Sequence, residues 1–296
     1  MSIKPKNGFT LIELLVVIAI IAILVGLVVA VAGPMLSRSK LTKDTVHHKT
    51  LSQANWSYSI DNKGKLFSPR TQQTDLIVDD NYITDADIKS INSRLWVQSF
   101  NEGSAVRLDS NNAELSLAIE DGSAYAYIGD IEAYKSPLDP ALRLRSYSLS
   151  AYIGVEKSID DYSDFNNSWW KQNFTPTLTV SQIAHPGSTM LSITEDEVRN
   201  GAVNISGWML HPRYNSSIPV TWYDFPALWS PEGVAVSNVD GSTEVVPLST
   251  KAIQDGWTYI QESHANKWID TGGGSLHDYN LLRKKLLPGH IGSILD

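Results

Sequence analysis

The chain has 296 residues, a net charge of −8 at pH 7 and no cysteine. A net negative charge argues against a nucleic-acid partner, because binding to a nucleic-acid backbone needs clustered Lys and Arg, so no nucleic-acid partner is expected. The lack of cysteine excludes disulfides, thiolate metal sites and cysteine nucleophiles. Hydrophobic residues make up 42% of the chain and charged residues 19%, which is the composition of a globular protein.

The N-terminal segment contains a long apolar run. Residues 14–33 include no charged or strongly polar side chain, and as a helix they would span about 30 Å, the hydrocarbon thickness of a bilayer. Because a helix satisfies its own backbone groups, the run predicts a membrane-spanning helix. A cleaved secretory signal is disfavoured, since its apolar region is shorter and a small-residue cleavage site follows it.

Glu13 does not fit a plain single-pass anchor, and the positive charges beside the apolar run do not settle its orientation. Glu13 places a carboxylate at the edge of the apolar run, where a charge is costly and indicates a function. Basic residues also lie on both sides of the run: Lys4 and Lys6 before it, and Arg38, Lys40 and Lys43 after it. The distribution of positive charge therefore leaves both orientations open.

Residues 8–14, with the sequence GFTLIEL, follow a short basic leader and resemble the prepilin signal of the type IV pilin and type II secretion pseudopilin family. The resemblance implies that prepilin peptidase cuts between Gly8 and Phe9 on the cytoplasmic side and methylates the new N-terminal Phe9. It also implies that Glu13 of one subunit pairs with the α-amine of Phe9 of its neighbour during assembly. The leader lysines would hold the N-terminus in the cytoplasm.

The resemblance and the pattern of the later segments together predict an α+β fold. A long, pilin-like N-terminal membrane-spanning helix is expected to pack on a mostly antiparallel β-sheet globular domain. We divide the chain into a cleaved leader at residues 1–8, a transmembrane and filament-core helix at 9–36, an amphipathic continuation at 37–62 and a periplasmic or extracellular β-rich globular domain at 63–296.

The resemblance implies a structural subunit of a type IV pilus or a type II secretion pseudopilus rather than an enzyme. The expected partners are identical or homologous pilin subunits, prepilin peptidase, the lipid bilayer and, indirectly, the inner-membrane assembly platform with its ATPase. The expected location is the bacterial inner membrane, with a cytoplasmic N-terminus and a periplasmic C-terminal domain, and then a periplasmic or extracellular filament. The sequence contains no phosphate-binding loop, HExxH zinc helix or GxSxG nucleophile elbow.

The helix is predicted to extend beyond the membrane segment to about Ser59. Pro34 lies inside it, where a proline removes one backbone hydrogen bond and kinks or breaks a helix. His47 and His48 are adjacent and point to different sides of a helix, so we assign them to a solvated face rather than to a metal pair. Residues 61–64, with the sequence DNKG, are expected to end the helix.

Residues 65–296 are expected to form a mixed, mostly β domain. The Asp240-Gly241 pair predicts the turn of a hairpin. The expected helices lie at 85–97 and 281–287, and the expected strands lie at 115–119, 124–128, 145–153, 189–194, 234–239 and 243–248.

Several short motifs of this domain are similar to those of a pseudopilin-like subgroup described by an H-x9-DG motif. Residues 135–140 resemble its Cys-Pro-x-Asp segment, with Ser136 at the Cys position. Residues 145–150 resemble its Ser-Tyr strand, and residues 185–195 resemble its Pro-Ser-x-Thr strand that ends in Glu. Ser230 stands at the His position before Asp240-Gly241, so the chemistry of the missing Cys and His is not carried over to this chain.

Asp160, Asp161 and Asp164 are weak candidates for a calcium site, because calcium binds carboxylate and amide oxygens. Their spacing is not that of an EF-hand, so a solvated polar loop is the preferred interpretation and no cofactor is expected.

Aromatic residues suggest an alternative function. The residues Trp169, Trp170, Trp222, Tyr223, Phe225 and Trp229 would stack on sugars if they shared one flat surface. Core packing explains such residues equally well. The alternative is a membrane-tethered periplasmic binding protein that recognises glycans, and a tethered periplasmic hydrolase is a third possibility. Neither of them explains Glu13 beside the Gly8-Phe9 pair.

Overall fold

The structure is a computed structural model. It describes residues 10–71, 89–90, 92–99, 115–155, 177–196, 204, 207–210, 219–248, 251–263 and 267–286. The leader, Phe9, residues 85–88 and 91 of the predicted helix at 85–97, and the calcium candidates at 160–164 lie outside the described residues. Residues 89, 90 and 92 of that predicted helix are helical, but Leu95 forms a β-bridge with Ser68, so the prediction is wrong at its C-terminal end.

The helix α1 runs without interruption over Leu11–Asp61, a length of 51 residues. Thr10 caps its N-terminus, and the chain leaves the helix at Asn62, as the DNKG sequence predicted. Pro34 lies inside α1 and does not end it. One continuous but kinked N-terminal helix was predicted. The structure confirms that the helix is continuous, and the kink at Pro34 stays a prediction.

The two halves of α1 have opposite surroundings. The large apolar side chains of the first half are exposed as far as Leu36. In the second half, Leu41, Leu51, Ala54 and Tyr58 are buried against the rest of the chain. Among the described residues, α1 is the one helix whose length and composition allow it to cross a membrane. The first half therefore projects from a globular domain to which the second half belongs.

The globular domain contains a four-stranded antiparallel sheet and a separate strand pair. The six strands are β1 (Tyr147–Leu149), β2 (Met190–Thr194), β3 (Val220–Trp222), β4 (Val234–Asn238), β5 (Thr243–Val246) and β6 (Trp268–Asp270). The order in the larger sheet is β1-β2-β4-β5, with Leu149 opposite Ser192 and Val234 opposite Val246. Strands β3 and β6 form the antiparallel pair. The α+β fold with an antiparallel sheet is confirmed.

The hairpin of β4 and β5 forms where the sequence predicted it. Gly241 has a φ of 91°, a value that favours glycine, and Asp240 accepts a hydrogen bond from the backbone of Ser242 at 2.9 Å. The strands predicted at 145–153 and 189–194 also form, as β1 and β2, although β1 is shorter than expected.

The strands predicted at 115–119 and 124–128 are wrong. Both segments are short helices, α2 (Ser116–Glu120) and α3 (Tyr125–Ile128), on either side of the turn at Gly122. Local bonds, such as that from the Ile128 amide to the Ala124 carbonyl at 3.1 Å, satisfy the backbone without a neighbouring strand. Periodicity does not distinguish a short buried helix from a short buried strand.

Two C-terminal helices complete the described structure. The helix α4 (Lys251–Ser263) was not predicted, and α5 (Leu276–Leu286) begins earlier than the predicted helix at 281–287. Asp270 fixes the start of α5, because its carboxylate accepts bonds from the backbone amide of Ser275 at 2.6 Å and from its hydroxyl at 2.7 Å.

The hydrophobic core has two parts. One part packs around α1 and includes Leu51, Phe67, Trp96, Tyr147 and Leu191. The other includes strand residues and the helices α4 and α5, and its members include Trp208, Trp222, Val236, Ile253 and Tyr279. In β4, Val236 belongs to the second part, whereas the next residue, Ser237, bonds Ser192, whose hydroxyl in turn bonds His48 of α1. The sheet therefore lies between the two parts.

Candidate functional site on the N-terminal helix

Thr10 and Glu13 form a reciprocal capping box at the start of α1. The Glu13 carboxylate accepts hydrogen bonds from the Thr10 backbone amide at 2.8 Å and from the Thr10 hydroxyl at 2.9 Å. The Glu13 amide donates in return to the Thr10 hydroxyl at 3.2 Å. Such a box satisfies otherwise unpaired amides, and the helix dipole favours a negative charge at this end. The pattern T-x-x-E before an apolar run is its sequence signal, and our sequence analysis missed it.

The capping box leaves Glu13 on the surface of the single subunit. Glu13 is exposed, and its hydrogen-bond partner among the described residues is Thr10 of its own chain. Gly8 and Phe9, the predicted cleavage site, lie outside the described residues. The pairing of Glu13 with the Phe9 amine of a neighbour therefore stays a prediction, although the carboxylate stands four positions from Phe9 in the sequence.

The helix that follows Glu13 is apolar on every side. Ile12, Ile23 and Val28 are more than 60% exposed, and other large apolar residues between Leu11 and Leu36 are also exposed. A soluble monomer rarely exposes a contiguous apolar surface of this extent. A helix that is apolar all round is stable when lipid or other protein surrounds it.

The second half of α1 contains a buried polar network. The ring of His48 bonds Ser192 through Nδ1 at 2.7 Å and Thr194 through Nε2 at 2.8 Å. The Thr194 hydroxyl donates to Asp44 at 3.0 Å, and the Tyr147 hydroxyl donates to the other oxygen of Asp44 at 2.7 Å. The network joins α1 to β1 and β2 at several points along the helix.

The network corrects the prediction that both histidines lie on a solvated face. His48 is fully buried, and His47 is half-buried with its Nδ1 at 2.9 Å from the carbonyl of Lys135. The apolar period of this half of the helix is interrupted by Asp44 and His48, so the sequence pattern did not reveal which side faces the sheet. Hydroxyls that β1 and β2 carry on the same face satisfy these polar groups.

Burial determines the charge of the network. Desolvation lowers the pKa of His48 to about 4, although the negative charge of Asp44 works in the opposite direction. Desolvation also raises the pKa of Tyr147 well above its usual value. At neutral pH the network therefore contains a neutral imidazole and a neutral phenol.

Asp44, His48 and Ser192 are residue types of hydrolase active sites, but their placement does not suit a substrate. All three are buried, and the Ser192 hydroxyl is also bonded to Ser237 at 2.5 Å. A nucleophile needs access to the reacting atom. The network supplies no accessible nucleophile, and we interpret it as an attachment of α1 to the sheet.

Two of the segments that resemble the H-x9-DG subgroup, residues 145–150 and 185–195, meet at a second buried group. Glu195, at the end of β2, accepts hydrogen bonds from Ser148 of β1 and from the Asn204 amide at 3.0 Å. Burial raises the pKa of Glu195, while these bonds and the charge of Arg145 lower it. Ser136, at the subgroup's Cys position, is fully buried and bonds the backbone amide of Leu138 at 3.2 Å.

Among the described aromatic candidates, Trp222 and Phe225 do not lie on a surface that could stack on a glycan. Trp222 and Phe225 are at most 2% exposed and belong to the core, and Trp222 donates to the Ser275 hydroxyl at 3.0 Å. Trp229 is half-buried and donates to Asp196 at 3.0 Å. The glycan hypothesis is therefore wrong for Trp222 and Phe225, and Trp169 and Trp170 lie outside the described residues.

The calcium candidates cannot be placed, because Asp160, Asp161 and Asp164 are outside the described residues. Within the described residues, no group of three or more His, Cys, Asp or Glu side chains could hold a metal ion.

Comparison with known families agrees with the site on α1. The family model for the prokaryotic N-terminal methylation motif matches residues 3–29. This motif is the prepilin-type signal of type IV pilins and pseudopilins, and the matched residues include Gly8, Phe9 and Glu13. The chain thus has a prepilin-type signal, and the apolar helix that follows it fits anchoring in the inner membrane.

The match covers the N-terminal segment alone. Comparisons with curated proteins and with solved structures find no match to the chain. The assignment of the globular domain to the H-x9-DG subgroup therefore stays a prediction.

Proposed function

We propose that the protein is a structural subunit of a filament, either a type IV pilus or a type II secretion pseudopilus. It would insert into the inner membrane with a cytoplasmic N-terminus, lose residues 1–8 to prepilin peptidase and assemble through α1. The observation that carries the proposal is the methylation motif at residues 3–29 together with the helix α1, whose first half projects from the domain with apolar side chains on all sides.

The dimensions of α1 fit this function. A helix of 51 residues is about 75 Å long, and a bilayer core accounts for about 30 Å of that length. The first half would exchange lipid for the helices of neighbouring subunits during assembly. Both environments are apolar, so the transfer costs little, but one apolar surface packs on another in many registers.

Glu13 would supply the register that apolar packing lacks. A carboxylate left unpaired in the apolar core of a filament is strongly penalised, and the α-amine of Phe9 from a neighbouring subunit would relieve both charges. The bond to Thr10 holds the carboxylate at the N-terminal end of the helix, where it is close in sequence to its own Phe9 and accessible to a neighbour. The pair would act in recruitment and alignment more than in net stabilisation.

The test is the substitution Glu13→Gln, with Glu262→Gln on the exposed surface of α4 as the matched control. Glutamine keeps the shape and the oxygen that Thr10 bonds, but it removes the charge. We expect Glu13→Gln to insert, to be cut after Gly8 and to accumulate in the membrane without forming filaments. Glu262→Gln should assemble normally. Electron microscopy of sheared filaments and intact mass of the membrane fraction would measure both outcomes.

Filaments of Glu13→Gln with normal yield and length would contradict the assembly mechanism. Wild-type chains that are processed but never form filaments, with or without their partner proteins, would contradict the filament function itself. A membrane-tethered protein of another function would show this second result.

A further inference from the structure

A basic patch follows the apolar half of α1 directly. Lys40 and Lys43 are exposed, and neither ammonium group has an ion-pair partner among the described residues. Arg38 differs, because it is paired with Glu232 of the globular domain at 2.9 Å. The nearest acid in sequence, Asp44, is buried and bonded to Tyr147 and Thr194, so it does not face the lysines.

The height of the patch along α1 matches the surface of a bilayer. Leu36 is the last exposed large apolar residue of the first half. At a rise of 1.5 Å per residue, Lys40 lies about 6 Å beyond Leu36 and Lys43 about 10 Å beyond it. The headgroup layer on each side of a bilayer is about 5 to 8 Å thick. Lys40 therefore lies at the level of the headgroups, and the backbone of Lys43 lies about 2 to 5 Å beyond their outer boundary, within reach of a lysine side chain.

The direction of helical side chains brings both ammonium groups closer to the lipid. Every Cα–Cβ bond of a helix is tilted toward the helix N-terminus, which in α1 is the membrane end. Long lysine side chains also extend along apolar surface toward a polar layer. Lys40 and Lys43 are three residues apart and thus neighbours on the helix, on a side that the domain leaves open. Two positive charges can therefore reach the phosphates together.

We propose that Lys40 and Lys43 form a binding site for anionic phospholipid headgroups in the leaflet on the side of the globular domain. Binding there sets the depth of α1 in the bilayer and keeps the domain close to the membrane surface. A basic side chain at this level increases the affinity for an anionic surface about fivefold. The site depends on insertion of α1 into a bilayer and not on filament assembly.

The experiment uses the full chain in nanodiscs that contain equal amounts of phosphatidylglycerol and phosphatidylcholine. Native mass spectrometry identifies the lipids that stay bound when the protein leaves the nanodisc. The variant is Lys40→Gln with Lys43→Gln, and the matched control is Lys49→Gln with Lys284→Gln, two exposed lysines farther along the chain. Lys4, Lys6 and Arg38 are the same in all three proteins, so they do not affect the comparison.

We expect the wild type and the control to retain phosphatidylglycerol in preference to phosphatidylcholine. The preference should fall about fivefold for each of the two lysines removed, and 0.5 M salt should weaken it in the wild type because exposed charges are screened. An unchanged preference in the Lys40 and Lys43 variant, or an equal loss in the control, would overturn the proposal. Because single subunits are measured, either result leaves the filament proposal untouched.

Discussion

The polar residues of α1 are satisfied in two different ways. Glu13 bonds Thr10 at the exposed start of the helix, and Asp44 and His48 bond hydroxyls of the sheet in its buried half. An exposed pair remains available to a partner, whereas a buried pair has used its hydrogen-bonding capacity within the fold. Glu13 therefore remains accessible, as its proposed role in assembly requires, whereas Asp44 and His48 hold the helix on the domain.

The first prediction concerns Gly8. We expect Gly8→Val to leave the precursor uncut, since a branched side chain next to the scissile bond prevents the close approach that glycine allows. Gly26→Ala is the matched control, because a methyl group there meets nothing within 4 Å, and this variant should be cut normally. Intact mass should show a wild-type chain that begins with N-methylated Phe9. A mature chain that begins at Met1 or after Ala32 would rule out the cleavage site.

The next prediction concerns the pH dependence of His48. Histidine has a pKa of about 6.5 in the unfolded chain, and burial lowers the pKa of His48 to about 4 in the folded protein. Between these values the unfolded chain binds a proton that the folded chain does not. The free energy of unfolding should therefore fall as pH falls from about 6.5 to about 4, by about 3 kcal/mol in total.

The variant His48→Gln isolates this effect. Glutamine keeps a polar group near Ser192 and Thr194 but does not titrate, and Glu195 and Asp196, whose pKa values burial raises, are the same in both proteins. Urea unfolding in detergent at pH 4 and pH 7 should show a smaller pH effect in the variant. Equal pH effects in both proteins would mean that His48 is charged in the folded state or accessible to water.

The connection that follows α1 depends on a close backbone contact. At Gly154 a Cβ atom would lie 1.7 Å from the carbonyl oxygen of Phe67, and the backbone φ is 74°. The same residue donates to Thr177 at 2.6 Å and accepts from Arg94 at 2.7 Å. The chain therefore brings several segments together at a position that has no room for a side chain.

We expect Gly154→Ala to lower the free energy of unfolding by about 3 kcal/mol or more, from steric overlap together with the left-handed backbone. Gly129 is the matched control: its φ is 69°, but a Cβ there meets nothing within 4 Å. Gly129→Ala should therefore cost only the backbone part, about 1 kcal/mol. Denaturant unfolding of both variants gives the comparison. Equal losses would show that the contact with Phe67 relaxes without cost.

The elements differ in how far the sequence determines them. The hairpin of β4 and β5 was predictable because Asp240-Gly241 carries its own turn chemistry. The helices α2 and α3 were not, since their short apolar segments fit either structure until tertiary packing selects one. The buried position of His48 was also not predictable, because its partners Ser192 and Thr194 lie in a distant strand.

In the candidate site too, local features were predictable from the sequence and long-range contacts were not. Residues 8–14 predicted the prepilin signal because it is local and continuous, and the family comparison bears this out. The T-x-x-E capping box was equally local and was available from Thr10 and Glu13. The network on the sheet face of α1 was not available from the sequence, because it depends on which face of the helix meets which strand.

The helix α1 contributes its first half to the membrane segment and its second half to the core of the globular domain. Leu51 and Tyr58 are core residues of the domain, and Ser52 donates to the carbonyl of Asn238 at 2.7 Å. The apolar first half makes no comparable contribution, since its large side chains are exposed. The domain should therefore require the second half of α1 for its own stability and should not require the first.

Two truncated chains would test this division. We expect a chain that begins at Pro34 to fold and to be soluble, because proline suits the first turn of a helix and the residues that bury Leu51, His48 and Tyr58 remain. A chain that begins at Lys63 should not fold, since it exposes one face of the sheet and leaves the hydroxyls of Ser192 and Thr194 without His48. Circular dichroism and amide proton dispersion in NMR spectra would distinguish the two. A folded chain from Lys63 would show that α1 is only an attachment to the domain.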